Sequence, residues 1–372
     1  MKLLYITNGI TGAGGLERVL SIKASFLAEE YGYDVSILTL NEPNSKTFFN
    51  FSQKIHFLSI EVAGHPLTYI YSYVYGVRKV IQKIQPDIIS VCDDGLKGFF
   101  IPIILKTKIP IIYERHVSKL IDTRSGQKLF SRALTQTKWM LMEKLAKRFS
   151  RFIVLTEGNK KEWTSLTNLD VIPNPLSFYP AERSSLDQKK VISVGKISYQ
   201  KGQDLLVDAW DIIIKKYPDW QLLLYGKGNI DYLDTNQLKS KNIFHFPPVK
   251  NIMEEYLNSS IYVMSSRFEG FGMVLIEAMA CGLPCVSFNC DYGPSDIITH
   301  REDGLLASAG NVYELAKQLE VLMDDYKLRE VMGGKAKKNS IRFAQETVMI
   351  QWHKLFNDLT ANHTANFYDS NK

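Results

Sequence analysis

The chain has 372 residues, a formal net charge of +6 and an ordinary apolar share of 45%. This length favours two domains, each long enough to bury a core, and so modest a charge does not indicate a nucleic-acid partner. Four cysteines are too few for a disulfide framework. No histidine lies among the close trio Cys281, Cys285 and Cys290, so buried thiols are favoured over a zinc site.

The first half of the chain alternates short apolar runs with longer amphipathic stretches. Strands are predicted at Leu3–Thr7, Val35–Leu40, Ile55–Leu58, Ile88–Cys92, Ile109–Tyr113 and Phe152–Leu155. Helices are predicted between several of them, as at Leu16–Tyr31 and Tyr69–Ile84. Strands that alternate with helices indicate a parallel sheet and a doubly wound fold.

A proline-rich stretch at Ile172–Lys190 interrupts this pattern and is the predicted linker. The pattern then restarts with predicted strands at Val191–Val194, Gln221–Tyr225, Ile243–Phe246, Ile261–Met264, Cys285–Phe288 and Leu305–Ala307. We therefore expect an α/β fold of two facing Rossmann-like, doubly wound domains, residues 1–175 and 186–344, with the ligand site in an interdomain cleft. A final helix, residues 345–360, is expected to pack back on the first domain.

The segment from Arg267 to Pro284 carries the strongest chemical signal. Glu269 and Glu277 stand on either side of the turn Gly270-Phe271-Gly272, and an apolar helix is expected from about Met273. A helix N-terminus binds a diphosphate through its free amides, and carboxylates can hold sugar hydroxyls. The segment predicts a nucleotide-sugar site. The alternative is a pair of surface glutamates in a favourable helix dipole.

A glycine-containing loop follows the first predicted strand. Gly12, Gly14 and Gly15 let the backbone approach a phosphate or sugar without a Cβ in the way. The loop lacks the Gly-X-Gly-X-X-Gly fingerprint, which disfavours a nicotinamide enzyme. A plain tight turn is the alternative.

A loop with two lysines follows the first predicted strand of the second half. Lys196 and Lys201 lie just after the strand that ends at Val194. Two ammonium groups there can neutralise a diphosphate leaving group in place of a metal ion. The alternative is a pair of solvated surface lysines.

Together these motifs resemble the retaining family-four glycosyltransferases of the GT-B fold. The Glu269–Glu277 segment is similar to that family's Glu-X7-Glu signature. The resemblance extends in family order over nearly the whole chain, through Gly14-Gly15-X-Glu17, Gly195-Lys196 with Lys201-Gly202, Cys290–Ile298 and Asp303-Gly304.

The resemblance implies an acceptor-binding first domain, a donor-binding second domain, and retaining transfer without a metal ion or cofactor. Glu269 would hold hydroxyls of the donor sugar, Glu277 the ribose, and Lys196 with Lys201 the departing diphosphate. His116 matches the active-site histidine that faces the donor sugar, although by itself it would be read as structural. The other implied donor-binding residues are Gly14, Gly15, Gly195, Gly270, Phe271, Gly272, Met273, Val274 and Leu275.

The chain departs from the family pattern at two places. Lys196 stands where arginine is commoner, which keeps the charge but loses the bidentate fork. Pro247-Pro248 stands near where many members have a glycine beside the base, so the base is left open. No Asp-X-Asp triplet occurs to suggest a metal site.

We expect transfer from a UDP-sugar to a glycan or lipid-linked acceptor in bacterial-type surface polysaccharide or glycoconjugate synthesis. The alternatives are a nucleotide-sugar epimerase of the same fold and a non-catalytic sugar-nucleotide-binding protein. An NAD oxidoreductase ranks third.

Residues 117–151 carry nine basic and two acidic residues, a local charge of +7. Leu141, Leu145 and Trp139-Met140 could enter a lipid headgroup region while the lysines meet anionic lipid. A solvated charge run is the alternative. The chain begins Met-Lys and has no apolar run long enough to span a bilayer. We therefore expect a cytoplasmic protein, and the first of these two interpretations of residues 117–151 adds contact with the inner face of the cell membrane.

Overall fold

The computed structural model describes residues 1–43, 46–93, 95–119, 129–228, 238 and 240–369, with the backbone alone at 129–133 and 362–369. The chain folds as two compact units, Met1–Ser177 with Gln345–Lys372, and Phe178–Ala344. The second unit takes in Phe178–Ser185, a segment that the sequence placed in the linker.

The first unit is built on a parallel sheet with the strand order β3-β2-β1-β4-β5-β6-β7. Its strands are β1 Lys2–Thr7, β2 Asp34–Leu40, β3 His56–Ile60, β4 Ile88–Cys92, β5 Ile111–Glu114, β6 Arg151–Val154 and β7 Leu169–Val171. Its helices before the crossing to the second unit are α1 Gly15–Glu29, α2 Pro66–Ile84, α3 Leu96–Phe99, α4 Ile101–Leu105, α5 Leu129–Ala146 and α6 Glu157–Lys160.

Successive side chains of β1 enter opposite faces of this sheet, as the pleat of a strand requires. Leu3 and Tyr5 belong to one buried cluster, which also holds residues of α1. Leu4 and Ile6 belong to the other, with residues of α2 and α5. Both faces are therefore covered, which explains the continuous apolar runs in the sequence.

The second unit repeats this architecture with the strand order β10-β9-β8-β11-β12-β13, again parallel. Its strands are β8 Lys190–Val194, β9 Gln221–Tyr225, β10 Ile243–Phe246, β11 Ile261–Met264, β12 Cys285–Asn289 and β13 Gly304–Ser308. Its described helices are α7 Gln203–Ile213, α8 Ile252–Leu257, α9 Met273–Ala280, α10 Pro294–Ile297, α11 Val312–Asp324 and α12 Tyr326–Ser340.

The final helix, α13, spans Gln345–Asp369 and is longer than predicted. Its apolar face, with Trp352 and Phe356, joins the same buried cluster as α1. This helix therefore packs on the first unit, as expected. No helix within the described ranges is both long and apolar enough to cross a membrane.

The strand order reverses once in each sheet, between β1 and β4 in the first unit and between β8 and β11 in the second. In open parallel sheets, ligands bind beyond the carboxyl ends of the two strands that flank such a reversal. The loops that follow these strands carry most of the residues selected from the sequence.

Candidate functional site

The turn before α9 has the geometry that the sequence predicted. α9 begins at Met273, and Gly272 is its N-cap with a φ of 101°, a conformation that a residue with a side chain rarely adopts. Phe271, by contrast, is buried edge-on against Phe343 with 5.7 Å between ring centroids. Its ring belongs to the core, so only its backbone is available to a ligand.

Glu269 lies just before this turn and is almost fully buried. Its Oε1 accepts hydrogen bonds from Lys201 Nζ at 2.6 Å and Ser266 Oγ at 2.5 Å. Sequence reasoning assigned Glu269 and Lys201 separate roles, at the sugar and at the diphosphate. The structure brings them together as an ion pair, and it adds Ser266, which the sequence reasoning missed.

Arg267 ties the loop after β11 to the start of α7. Its guanidinium donates to both carboxylate oxygens of Asp204, at 2.8 and 2.5 Å, and lies 4.1 Å from the ring centroid of Tyr199. Burial opposes ionisation of Asp204, but hydrogen bonds and charge from Arg267 lower the pKa of its carboxyl. No spacing rule links positions 204 and 267, so this bidentate pair was not predicted.

Backbone contacts between the same two loops are equally close. Arg267 N donates to Gln200 O at 2.8 Å, and Ser265 Oγ donates to Lys201 O at 3.0 Å. Gly202 has a φ of 62°, and a Cβ built on it would lie 2.2 Å from Ser265 O. The loop that presents Lys201 is thus fixed against the loop that presents Glu269.

Glu277 lies one turn into α9, as expected, but it is completely buried. Burial and the nearby Glu277 carboxylate raise the pKa of the Cys281 thiol to about 12. All four cysteines are free and buried, which confirms the expectation of buried thiols. The Glu277 carboxylate is thus closed off from solvent in this structure.

Lys196 lies in the loop after β8 with its side chain exposed. Its backbone carbonyl accepts a hydrogen bond from Gln203 Nε2 at 3.1 Å. Gly195 precedes it, and the Gly195 amide donates to Tyr225 O at 2.9 Å. The two predicted cations therefore differ, because Lys201 is held in an ion pair and Lys196 extends into solvent.

The Gly14-Gly15 loop occupies the corresponding position in the first unit. Gly14 is the N-cap of α1, and a Cβ built on Gly15 would meet nothing within 4 Å. Glu42, after β2, fixes the loop by accepting from Ile10 N at 2.8 Å and from Thr11 Oγ1 at 2.6 Å. The sequence reasoning missed Glu42, whose role depends on β1 and β2 being neighbours.

His116 follows β5, and its side chain is largely buried. Its Nε2 lies 3.3 Å from Glu114 Oε2, an atom that also accepts from Lys23 Nζ at 2.5 Å. Cys92, Glu114 and His116 bring ligand-type atoms within 4.8 Å of one another. The Lys23 ammonium on Glu114 repels a divalent cation, so this trio is a poor metal site.

The basic segment 117–151 only partly fits the predicted membrane face. Met140 and Leu141 are exposed, but Leu145 is buried in the core, so its predicted entry into lipid is wrong. Trp139 packs edge-on against Trp163, with 6.3 Å between ring centroids. Within this segment Asp122, Arg124 and Lys128 lie outside the described residues, as does the side chain of Arg132.

Both halves of the chain match glycosyltransferase family models. Residues 13–177 match the model described as Glycosyltransferase Family 4, and residues 179–339 match Glycosyl transferases group 1. An uncharacterized glycosyltransferase of Haemophilus influenzae is 30% identical over 94% of this chain and 98% of its own length. The amylovoran biosynthesis glycosyltransferase AmsD of Erwinia amylovora is 28% identical over 96% and 99%.

Among solved structures, a mutant of Staphylococcus aureus TarM in complex with fondaparinux, α-GlcNAc-glycerol and UDP is similar with a TM-score of 0.77. The identity is 15%, and the match covers 96% of this chain and 99% of that one, a likeness that concerns the fold. The chain therefore belongs to the glycosyltransferases of family 4 and group 1, with the two-domain Rossmann-like GT-B fold.

Proposed function

We propose that the protein is a retaining, metal-independent glycosyltransferase that moves a sugar from a UDP-sugar to a glycan or lipid-linked acceptor. The observation that carries this proposal is the arrangement at the strand reversal of the second unit. The loops after β8 and β11 are fixed to each other there, and they present Lys201 and Glu269 directly before the N-terminus of α9.

The donor diphosphate fits the N-terminus of α9, where the first amides of a helix lack intrahelical acceptors. Met273 and Val274 supply such amides, and both residues are partly exposed. An ammonium group has three donors, so Lys201 can keep Glu269 and still donate to a phosphate. The exposed Lys196 adds a second positive charge. Glu269 then holds the donor sugar, and Glu277 turns to hold the ribose.

In this reaction the glycosidic carbon passes through an oxocarbenium-like state while negative charge grows on the diphosphate. Cationic side chains and a helix N-terminus can stabilise that charge, which is the task a metal ion performs in other enzymes. The two lysines are the basis for proposing metal independence. Retention rests on the family resemblance of the Glu269–Glu277 segment.

The relatives support the choice of donor and acceptor. TarM has been solved with UDP, and AmsD is named for amylovoran biosynthesis. We carry both features to this chain as the proposal of a UDP-sugar donor and a role in surface polysaccharide synthesis. His116, in the first unit, keeps its proposed catalytic role toward the donor sugar.

A donor screen tests the proposal by measuring the nucleoside diphosphate (UDP, GDP or ADP) released from UDP-, GDP- and ADP-sugars. We expect release from a UDP-sugar, unchanged by EDTA, and a product with the donor's anomeric configuration by NMR. Inversion at the anomeric carbon would refute the retaining mechanism, and loss of activity in EDTA would refute metal independence. An epimerase would instead convert the donor sugar without an acceptor.

Two isosteric variants test the division of roles between the glutamates. Glu277→Gln should weaken UDP binding in calorimetry, because the ribose loses a charged acceptor. Glu269→Gln should slow transfer much more than it weakens UDP binding. Equal effects of both variants on both measurements would show that the assignment of ribose and sugar is wrong.

An anionic membrane surface is the proposed partner that brings the protein to a lipid-linked acceptor. The exposed apolar side chains of α2 fit it better than those of α5: Leu67 is 73% and Tyr71 71% exposed. These two residues share one helix face, which Ile70 and Tyr75 extend. α2 also carries three basic residues and no acidic one, which complements anionic lipid.

Flotation with phosphatidylglycerol or phosphatidylcholine vesicles tests this contact. We expect recovery with the anionic vesicles and its loss in the Leu67→Asp/Tyr71→Asp variant. Met140→Asp, on α5, is the comparison and should float like the unmodified protein. Equal recovery of the unmodified protein with both lipids would rule out the membrane contact.

A further inference from the structure

Glu114 is the centre of a buried polar cluster that the proposed function does not yet use. It is the last residue of β5, and its side chain is 2% exposed. Its Oε1 accepts from Ser90 Oγ on β4 at 2.7 Å. Its Oε2 accepts from Lys23 Nζ on α1 at 2.5 Å and lies 3.3 Å from His116 Nε2.

Lys23 supplies the charge that keeps Glu114 ionised. It is almost fully buried, and its ammonium lies 3.4 Å from the ring centroid of Trp352 on α13. A buried ammonium is costly unless it is paired, and Glu114 is its partner. Burial alone would raise the pKa of the Glu114 carboxyl, but Lys23 and then His116 outweigh it and lower the pKa to about 2.

An ionised carboxylate only accepts hydrogen bonds. Because Glu114 Oε2 faces His116 Nε2, that nitrogen must carry a proton for the two atoms to attract each other. Lys23, already on Oε2, and the Cys92 thiol also lie close to this pair. The cluster therefore selects one ring orientation and one protonation site for His116, a residue placed in a loop after the strand.

We propose that Glu114 is a positioning residue for His116, with Lys23 as its counter-ion. The inference rests on the catalytic role proposed for His116. The two carboxylate oxygens of Glu114 have different roles. Oε1 is held by Ser90 and fixes the carboxylate in the sheet, whereas Oε2 presents a fixed acceptor to His116. Lys23 and Trp352 link this acceptor to α1 and α13, so the orientation of His116 depends on the packing of the whole unit.

The test uses ¹⁵N-labelled full-length protein and long-range ¹H–¹⁵N spectra of its histidine rings. In the unmodified protein we expect His116 to carry its proton on Nε2. Glu114→Leu alone would leave Lys23 buried without a partner and unfold the unit, so the informative variant is Lys23→Met/Glu114→Leu. There we expect a mixture of tautomers at His116. Retention of the single Nε2–H signature would overturn the inference.

Turnover supplies the second measurement, as UDP released from the UDP-sugar that the donor screen identifies. We expect kcat of the double variant to fall about 10- to 100-fold, the loss seen when the hydrogen-bond partner of a metal-ligating histidine is removed. The dissociation constant for UDP should stay unchanged. Thr39→Val on β2 is the matched control, because it removes a hydrogen bond from the buried Thr39 Oγ1 to Leu58 O, outside this cluster. It should lower Tm and keep both the tautomer and kcat.

A double variant with unchanged kcat would overturn the inference. So would a fall in kcat of equal size in Thr39→Val, because that would indicate a merely structural role. His116→Ala separates this inference from the proposed function. If His116→Ala keeps full turnover, the catalytic role of His116 is wrong. If only His116→Ala loses turnover, that role stands and the role of Glu114 is wrong.

Discussion

Replacing Lys201 by methionine should destabilise the second unit by leaving Glu269 buried without its counter-ion. The two side chains are 23% and 5% exposed, and Nζ lies 2.6 Å from Oε1. At an effective dielectric constant of about 20, Coulomb attraction over that distance is about 6 kcal/mol. Desolvation of the pair offsets roughly half of this, so the variant should lose about 3 kcal/mol of unfolding free energy.

Urea unfolding followed by circular dichroism measures this loss, in a cycle with Glu269→Gln and the double variant. Glu269→Gln should lose less unfolding free energy, because the lysine that it leaves unpaired, Lys201, is the more exposed of the two side chains. Lys241→Met is the matched control. Its pair with Asp211 has the same 2.6 Å distance and an equally exposed lysine, but the carboxylate is 38% exposed, so the cost should stay within about 1 kcal/mol. Additive losses in the cycle would refute the coupling.

Three further predictions concern acid stability, backbone strain and thiol reactivity. Folding lowers the pKa of Glu114 from 4.5 to about 2, so its contribution of about 3 kcal/mol to the unfolding free energy is complete above pH 4.5 and is lost as pH falls toward 2. The unfolding free energies of the unmodified protein and of Lys23→Met/Glu114→Leu, measured by urea titration, should therefore converge at low pH. Parallel pH curves of the two proteins would contradict this. Gly202→Ala should lower the unfolding free energy by at least about 2 kcal/mol, since its Cβ would collide with the Ser265 carbonyl at a φ of 62°. The control Gly334→Ala, inside α12, should not destabilise the protein. Equal Tm values for the two variants would be the contrary result. Cys281, whose pKa is raised to about 12 by burial and Glu277, should resist a thiol reagent at pH 8 until urea unfolds the protein, and rapid labelling of the native protein would contradict its burial.

Most of the sheet could be predicted from the sequence because its strands are buried on both faces. Such strands are short continuous apolar runs, and all six runs predicted in the second half are strands, with small differences at their ends. β7 was missed because it has only three residues, including Asp170, at the edge of the sheet. A strand at the edge of a sheet can carry fewer apolar residues than a central one, so the search for continuous apolar runs does not reveal it.

The start of α9 was equally predictable, because it depends on residues close in sequence. Gly272 permits the positive φ of the N-cap, and the apolar residues after it continue the helix. Leu145 shows where such local reasoning failed. The sequence allowed Leu145 to enter lipid, but the structure buries it in the cluster that also holds Leu4 and Ile6. Only the packing partner of a helix decides which of its faces is buried.

The sequence by itself determined two α/β units, their strands, and the turn between Glu269 and Glu277, since these follow from backbone geometry and apolar patterns over a few residues. Only the tertiary structure decided which charged groups meet. Lys201 and Glu269 are 68 positions apart, and Lys23 and Glu114 are 91 apart. The first pairing depends on β8 and β11 lying side by side at the strand reversal, and the second on α1 packing in the same buried cluster as β5. Burial then favours each pair, because a charge removed from water needs a partner.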